Sequence, residues 1–121
     1  NFNRWTSIFS EYSNYFILPE ATKESDPAWF AFIVTLKENT PFTRDEITQN
    51  FNNNLIETRN LFAGNLTKQP AFMSCDWRVA DNLKNTDCIM NNTFFLGTYP
   101  GLINEMFVYA EKVLDDFIKS R

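Results

Sequence analysis

The chain has 121 residues, 44% hydrophobic and 17% aromatic, with 13 Phe against 3 Gly; that length suits one domain with a real core, and the aromatic content excludes a disordered chain. A formal charge of −4 argues against a nucleic-acid binder, which presents a basic face. With no His anywhere, no mechanism can take a histidine base or ligand from these residues.

In chain order, Trp5, Ile8, Phe9, Tyr12, Tyr15 and Phe16 recur at spacings of three and four, which predicts one helix face. The pattern begins at once, as expected of a piece cut from a longer chain. Pro19 and Pro27 bracket a polar connection, Glu20 to Asp26. Trp29 to Leu36 is short, aromatic and β-branched, which predicts a strand buried on both faces. Pro41 closes a turn, and Thr43-Arg44-Asp45-Glu46 matches a capping box, in which Thr43 and Glu46 each accept an otherwise unpaired backbone N–H. Ile47, Phe51 and Leu55 give the following helix its apolar stripe. A short strand is expected over Glu57 to Phe62, then a loop from Ala63 to Pro70 in which Gly64 is free to adopt conformations other residues avoid. Residues 71–81 carry no clear pattern. Thr86 is expected to cap a short helix through Asn91, Thr93 to Thr98 to form a strand, and Pro100-Gly101 to turn the chain. Leu102 to Lys119 reads as an amphipathic helix with the stripe Ile103, Phe107, Ala110, Leu114 and Phe117, and Met106, Val113 and Ile118 beside it. The expected fold class is α/β: an α+β two-layer sandwich with helices packed on a small mixed sheet.

No catalytic constellation is complete. A Ser-His or Cys-His pair is impossible without His, and neither standard glycine-rich phosphate loop is present. Asp115 and Asp116, adjacent on a helix, point in different directions and read as a solvated face. Cys75 and Cys88 are too few for a structural metal site and read as free thiols of a cytoplasmic protein. No stretch of 18 apolar residues offers a membrane span, no signal peptide is visible, and the sequons at Asn65 and Asn91 read as coincidences. The best local feature is Thr58 to Pro70, which sets Arg59 and Lys68 among amides and hydroxyls. Arg59 there either grips a phosphate or carboxylate through paired hydrogen bonds or is an ordinary solvated arginine; the residues alone leave both open.

Several ordered motifs add a resemblance. Thr58-Arg59, Leu61-Phe62-Ala63-Gly64-Asn65-Leu66-Thr67 and Gln69-Pro70 resemble a loop of the CDP-4-keto-6-deoxyglucose-3-dehydratase group. So do Asn85-Thr86-Asp87 with Ile89-Met90-Asn91, and Thr93-Phe94 with Gly97 and Tyr99-Pro100-Gly101-Leu102. Phe16-Ile17-Leu18-Pro19, Ser25-Asp26-Pro27 and Trp29-Phe30 fit the same order, so the resemblance runs from about Asn3 to Phe117. It implies the C-terminal small domain of a fold-type I, vitamin-B6-dependent sugar-aminotransferase superfamily member, a single domain over 1–121 whose large, cofactor-binding domain lies elsewhere. The function implied is that of a nucleotide-sugar 3-dehydratase acting on a 4-keto-6-deoxyhexose for lipopolysaccharide O-antigen synthesis.

That resemblance implies pyridoxal or pyridoxamine phosphate as cofactor and, in CDP-linked members, a two-iron, two-sulfur cluster, both held by the large domain. The implied partners are that large domain, a nucleotide-diphosphate sugar, a second copy in a homodimer and a reductase. No catalytic or cofactor-binding residue is expected here. The substrate-binding candidates are Arg59, for an anion, and Asn65 and Gln69, for sugar or nucleotide or for the loop's own backbone. The structural alternative has Leu61, Phe62 and Leu66 plugging the loop onto the sheet, with Arg59 paired to Glu57 or Asp76. Glu57, Asn60, Lys68 and Ile103 depart from the group's usual residues. A small domain of a sugar aminotransferase is the nearer alternative, disfavoured because that group tends to carry His-Tyr where this chain has Leu61-Phe62; a self-contained binding domain is the other.

Overall fold

Two short runs dense in aromatic and branched apolar side chains, AFIVTL and TFFLG, form the strands at the centre of the sheet. In a computed structural model describing residues 1–121, β1 is Phe16–Ile17, β2 Ala31–Leu36, β3 Thr58–Asn60 and β4 Thr93–Gly97. β2 pairs with β4 in a register that sets Phe32 opposite Leu96 and Val34 opposite Phe94. The sheet order is β1-β2-β4-β3, and every ladder is antiparallel. The expected mixed sheet is thereby corrected. β2 and β3 do run the same way, joined by a helical crossover, but β4 inserts between them in the opposite direction.

Four α-helices accompany the sheet: α1 Phe2–Ser10, α2 Arg44–Asn53, α3 Lys84–Asn92 and α4 Asn104–Lys119. Apolar stripes on α1, α2 and α4 bury Trp5, Phe9, Ile47, Phe51, Phe107 and Leu114 against Phe16, Phe32, Val34, Phe94 and Leu96. The rings interlock by edges, Phe9 lying 5.2 Å from Phe16 and Trp5 4.8 Å from Phe107, centroid to centroid. The indole N–H of Trp5 donates to the Gly97 carbonyl at 2.8 Å, so burying it leaves no orphan donor. α2 begins with the expected capping box: the Thr43 hydroxyl accepts from the Glu46 N–H, and the Glu46 carboxylate accepts from the Thr43 N–H at 2.7 Å.

Four expectations fall. α1 stops at Ser10, Tyr12 and Tyr15 lie in turns, and Phe16 enters β1 opposite Leu36; closely spaced turns keep a helical apolar spacing without being one helix. Leu55 lies beyond α2 with φ 59° and is 95% exposed, because the helix ends at Asn53 and the chain reverses. Thr86 lies inside α3, whose N-cap is Leu83; the Asn82 side chain accepts from the Lys84 N–H instead. Ile103 and Met106 are exposed, so the buried stripe of α4 is Phe107, Ala110, Val113, Leu114 and Phe117. No helix is long and apolar enough to cross a membrane, and both cysteines are free thiols.

Candidate functional site

Arg59 stands on β3, the edge strand, opposite Phe95 of β4. An edge position leaves its side chain 69% exposed. The guanidinium donates to the Glu57 carboxylate through Nε at 2.7 Å and Nη2 at 2.5 Å, which is the structural pairing the sequence offered. Beside it runs a groove of about 800 Å³ whose wall includes Phe30, Phe62, Tyr99, Met106 and Tyr109. Phe30 and Phe62 are 78% and 70% exposed, and both rest against Phe95, with ring centroids 6.1 and 5.8 Å away.

The loop after β3 reverses sharply. Ala63 and Gly64 are consecutive left-handed residues, at φ 47° and 66°. Only Gly fits the second position, since a Cβ there would lie 2.4 Å from the Met90 side chain. Asn65 follows and is only 2% exposed. Its amide nitrogen donates to Asp87 at 2.7 Å, and its amide oxygen accepts from the Thr67 hydroxyl at 2.7 Å and the Thr67 N–H at 3.1 Å. Gln69 donates to the Ala63 carbonyl at 2.5 Å. The structure thus uses both amides to hold the loop's own backbone, and of the three candidates it leaves Arg59 facing the groove.

Three further residues matter that sequence reading gave no role. Asp87, in the first turn of α3, accepts from Lys68 at 2.8 Å as well as from Asn65. The Lys68 hydrogen bond, and then that of Asn65, holds its carboxyl below the usual aspartate range. Met90 packs on Gly64, its sulfur 3.3 Å from the Asn65 nitrogen. Arg44, from α2, donates to the Met90 carbonyl at 2.7 Å. The signal for Asp87 and Met90 was their place in the motifs that carry the resemblance; their spatial link to the loop, across 19 to 25 positions, has no local mark.

Chemically the site offers one guanidinium beside an aromatic wall, and no acid–base pair. Pyridoxal phosphate does not fit these residues: no lysine lines the groove, and no buried polar side-chain atom lacks a partner that a phosphate or pyridine nitrogen would supply. Nor does any group of three or more Cys, Asp or Glu gather as metal ligands.

The model of the DegT/DnrJ/EryC1/StrS aminotransferase family matches residues 1–114. The chain is 43% identical over 117 residues to the lipopolysaccharide biosynthesis protein RfbH of Salmonella typhimurium, covering 97% of this chain and 27% of that protein. It is 39% identical over 102 residues to the dTDP-4-dehydro-2,6-dideoxy-D-glucose 3-dehydratase of Saccharopolyspora spinosa, covering 84% of this chain and 22% of that one. The chain therefore spans about a quarter of the length of these relatives. Among solved structures, an E. coli GDP-4-keto-6-deoxy-D-mannose-3-dehydratase with bound hydrated PLP superposes with a TM-score of 0.79 at 23% identity, over 93% of this chain and 28% of that one. An aminotransferase from Psychrobacter cryohalolentis superposes at 0.83 and 15% identity, over 98% of this chain and 33% of that one. These likenesses show that the chain shares the fold of a portion of such enzymes.

Proposed function

The chain belongs to the DegT/DnrJ/EryC1/StrS aminotransferase family, and we propose that it is the C-terminal small domain of a cytoplasmic nucleotide-sugar 3-dehydratase that works in deoxysugar synthesis for lipopolysaccharide. The observation that carries this reading is 39% identity, over 84% of the chain, to a relative named as a 3-dehydratase. Leu61-Phe62 supports dehydratase over aminotransferase. The aminotransferase reading is second: it draws on the 0.83 superposition, at an identity of only 15%.

In this reading the rest of the polypeptide holds the vitamin-B6 cofactor, any iron–sulfur cluster and the acid–base groups, and it forms the homodimer and meets a reductase. The cofactor supplies the electron sink. The residues here bind and orient substrate. Arg59 exchanges its exposed Glu57 partner for the diphosphate of the nucleotide sugar. An exposed ion pair holds at most about 1 kcal/mol, whereas a charge-assisted hydrogen bond to phosphate is worth about 1.5–3 kcal/mol, so the exchange runs toward substrate. Asn65 and Gln69 keep the loop in the shape that flanks it, and Phe30 and Phe62 keep water from one side of the groove.

The test uses the complete polypeptide that carries these residues, supplied with pyridoxamine phosphate and a nucleotide-linked 4-keto-6-deoxyhexose. Loss of water from carbon 3, read by mass spectrometry, is expected; an amino sugar formed with glutamate and no loss of water would establish the aminotransferase instead. Arg59→Ala should raise KM by about tenfold or more with the melting temperature nearly unchanged. A collapse in stability with a normal KM in the folded fraction would make Arg59 structural.

A further inference from the structure

The one polar side chain that the loop buries, Asn65 at 2% exposure, is held by a carboxylate from a separate helix. Asp87 takes the Asn65 amide on one oxygen at 2.7 Å and the Lys68 ammonium on the other at 2.8 Å. Those two loop residues flank Thr67, which is tied to Asn65 by both its hydroxyl and its N–H. On the near side the left-handed turn Ala63-Gly64 is fixed by Gln69 on the Ala63 carbonyl and by Met90 against Gly64. That turn directly follows Phe62, which walls the groove beside Arg59. α3 is itself tied to α2 through Arg44 on the Met90 carbonyl. A chain of contacts therefore runs from the helical layer through Asp87 to the groove wall.

From this we infer that Asp87 is a positioning residue: it clamps the 63–69 loop through Asn65 and Lys68, and so sets Phe62 and the anion-facing side of Arg59. The inference rests on the reading of Arg59 as a substrate contact. The clamp's polarity is specific. A neutral amide must face a carboxylate, because two carboxylates in one site repel and one is driven to protonate. The geometry nevertheless permits exchange of the two side chains, since an aspartate at 65 still accepts from Thr67 and an asparagine at 87 still donates back.

The experiment compares Asn65→Asp, Asp87→Ala, the exchanged pair Asn65→Asp with Asp87→Asn, and Arg59→Ala, all in the complete polypeptide. Three quantities are read: amide exchange across residues 63–69, the melting temperature, and the dissociation constant for inorganic pyrophosphate. Asn65→Asp and Asp87→Ala should speed exchange across the loop about tenfold or more, and weaken pyrophosphate binding about tenfold. The exchanged pair should recover most of both. If loop exchange ignores the single variants, or the exchanged pair is no better than Asn65→Asp, the clamp is wrong. If exchange responds and pyrophosphate binding does not, while Arg59→Ala abolishes that binding, Asp87 is structural only and the positioning role is overturned. If Arg59→Ala leaves pyrophosphate binding intact while the exchanged pair restores loop protection, the clamp stands and the Arg59 reading fails.

Discussion

Asn65 illustrates how much a single buried amide can be asked to hold. As a polar residue after Gly64 it was legible as a loop residue with hydrogen-bonding work to do, yet no local feature marked it as buried. Burial is set by α3, whose Asp87 and Met90 arrive from more than 20 positions away. Replacing it with Ala takes the partner from the half-buried Thr67 N–H and hydroxyl together, and leaving such groups unpaired costs up to about 1–3 kcal/mol. Asn65→Ala should therefore lower stability by about that amount in a denaturant titration; a loss below the error of the method would show that water replaces the amide freely. For Arg59 the sequence offered two carboxylate partners, Glu57 and Asp76, and the structure selects Glu57, which lies just before β3. Tyr12 gives a pH test at the same scale. Burial first, then its hydrogen bond to Asp115, pushes its hydroxyl up to about 12 from 10.0. A pKa raised on folding adds stability that is whole below about pH 10 and is lost as pH rises through about 12. Phenolate absorbance should show one tyrosine titrating late in wild type, and Asp115→Asn should bring it earlier.

Elements whose signal is local were legible with near-correct bounds. β2 and β4 follow from dense aromatic and β-branched runs, α4 from its apolar stripe, and α2 from Thr43 and Glu46. The ends of α1 were not, because the turns over 11–15 preserve an apolar spacing of three and four while the Tyr15 carbonyl takes a hydrogen bond from the Lys37 N–H at 2.8 Å, leading Phe16 into the sheet. That pairing partner is more than 20 residues distant, and strand β1, two residues long, has no pattern to detect. The α2 cap yields a prediction proper to an element. Thr43→Ala removes the acceptor for the Glu46 N–H, and loss of such a cap costs about 1 kcal/mol. The same box holds the Glu46 carboxyl below its ordinary range, chiefly through the Thr43 backbone N–H and then its hydroxyl. A lowered pKa adds stability present above the ordinary glutamate range and lost as pH falls through the folded value. Thr43→Ala should thus melt lower at neutral pH than wild type, with a smaller gap in acid. An unchanged gap down to pH 3 would exclude Glu46 as its source.

At the scale of the whole molecule, only 20 of 121 residues are buried, although the composition supplies far more apolar mass than that. The core lies on one face of the sheet; on the other, the rings of Phe30, Phe62 and Phe95 meet at tilted and edge-on angles beside the groove, and α4, from the core side, adds Met106 and Tyr109 to its wall, open to solvent with Tyr99. Exposed aromatic side chains gathered along one groove, rather than scattered singly, suit a contact face. In the proposed enzyme that face belongs to the rest of the polypeptide, consistent with a chain that spans about a quarter of its relatives' length, since interfaces between domains resemble those between proteins. The prediction separates a bare but ordered face from a loosely packed core. The purified chain should unfold cooperatively and bind an apolar fluorescent dye while still native. Phe30→Ser with Phe62→Ser should cut that binding severalfold and leave the melting temperature within a few degrees, because an exposed ring carries little of the roughly 1.5–3 kcal/mol that full burial would supply. Phe32→Ala, in the buried face, should instead cost about 3–5 kcal/mol. If the double serine variant melts as low as Phe32→Ala, the two rings belong to the core and the groove is no contact face; if the dye signal persists undiminished, it reports a fluctuating core.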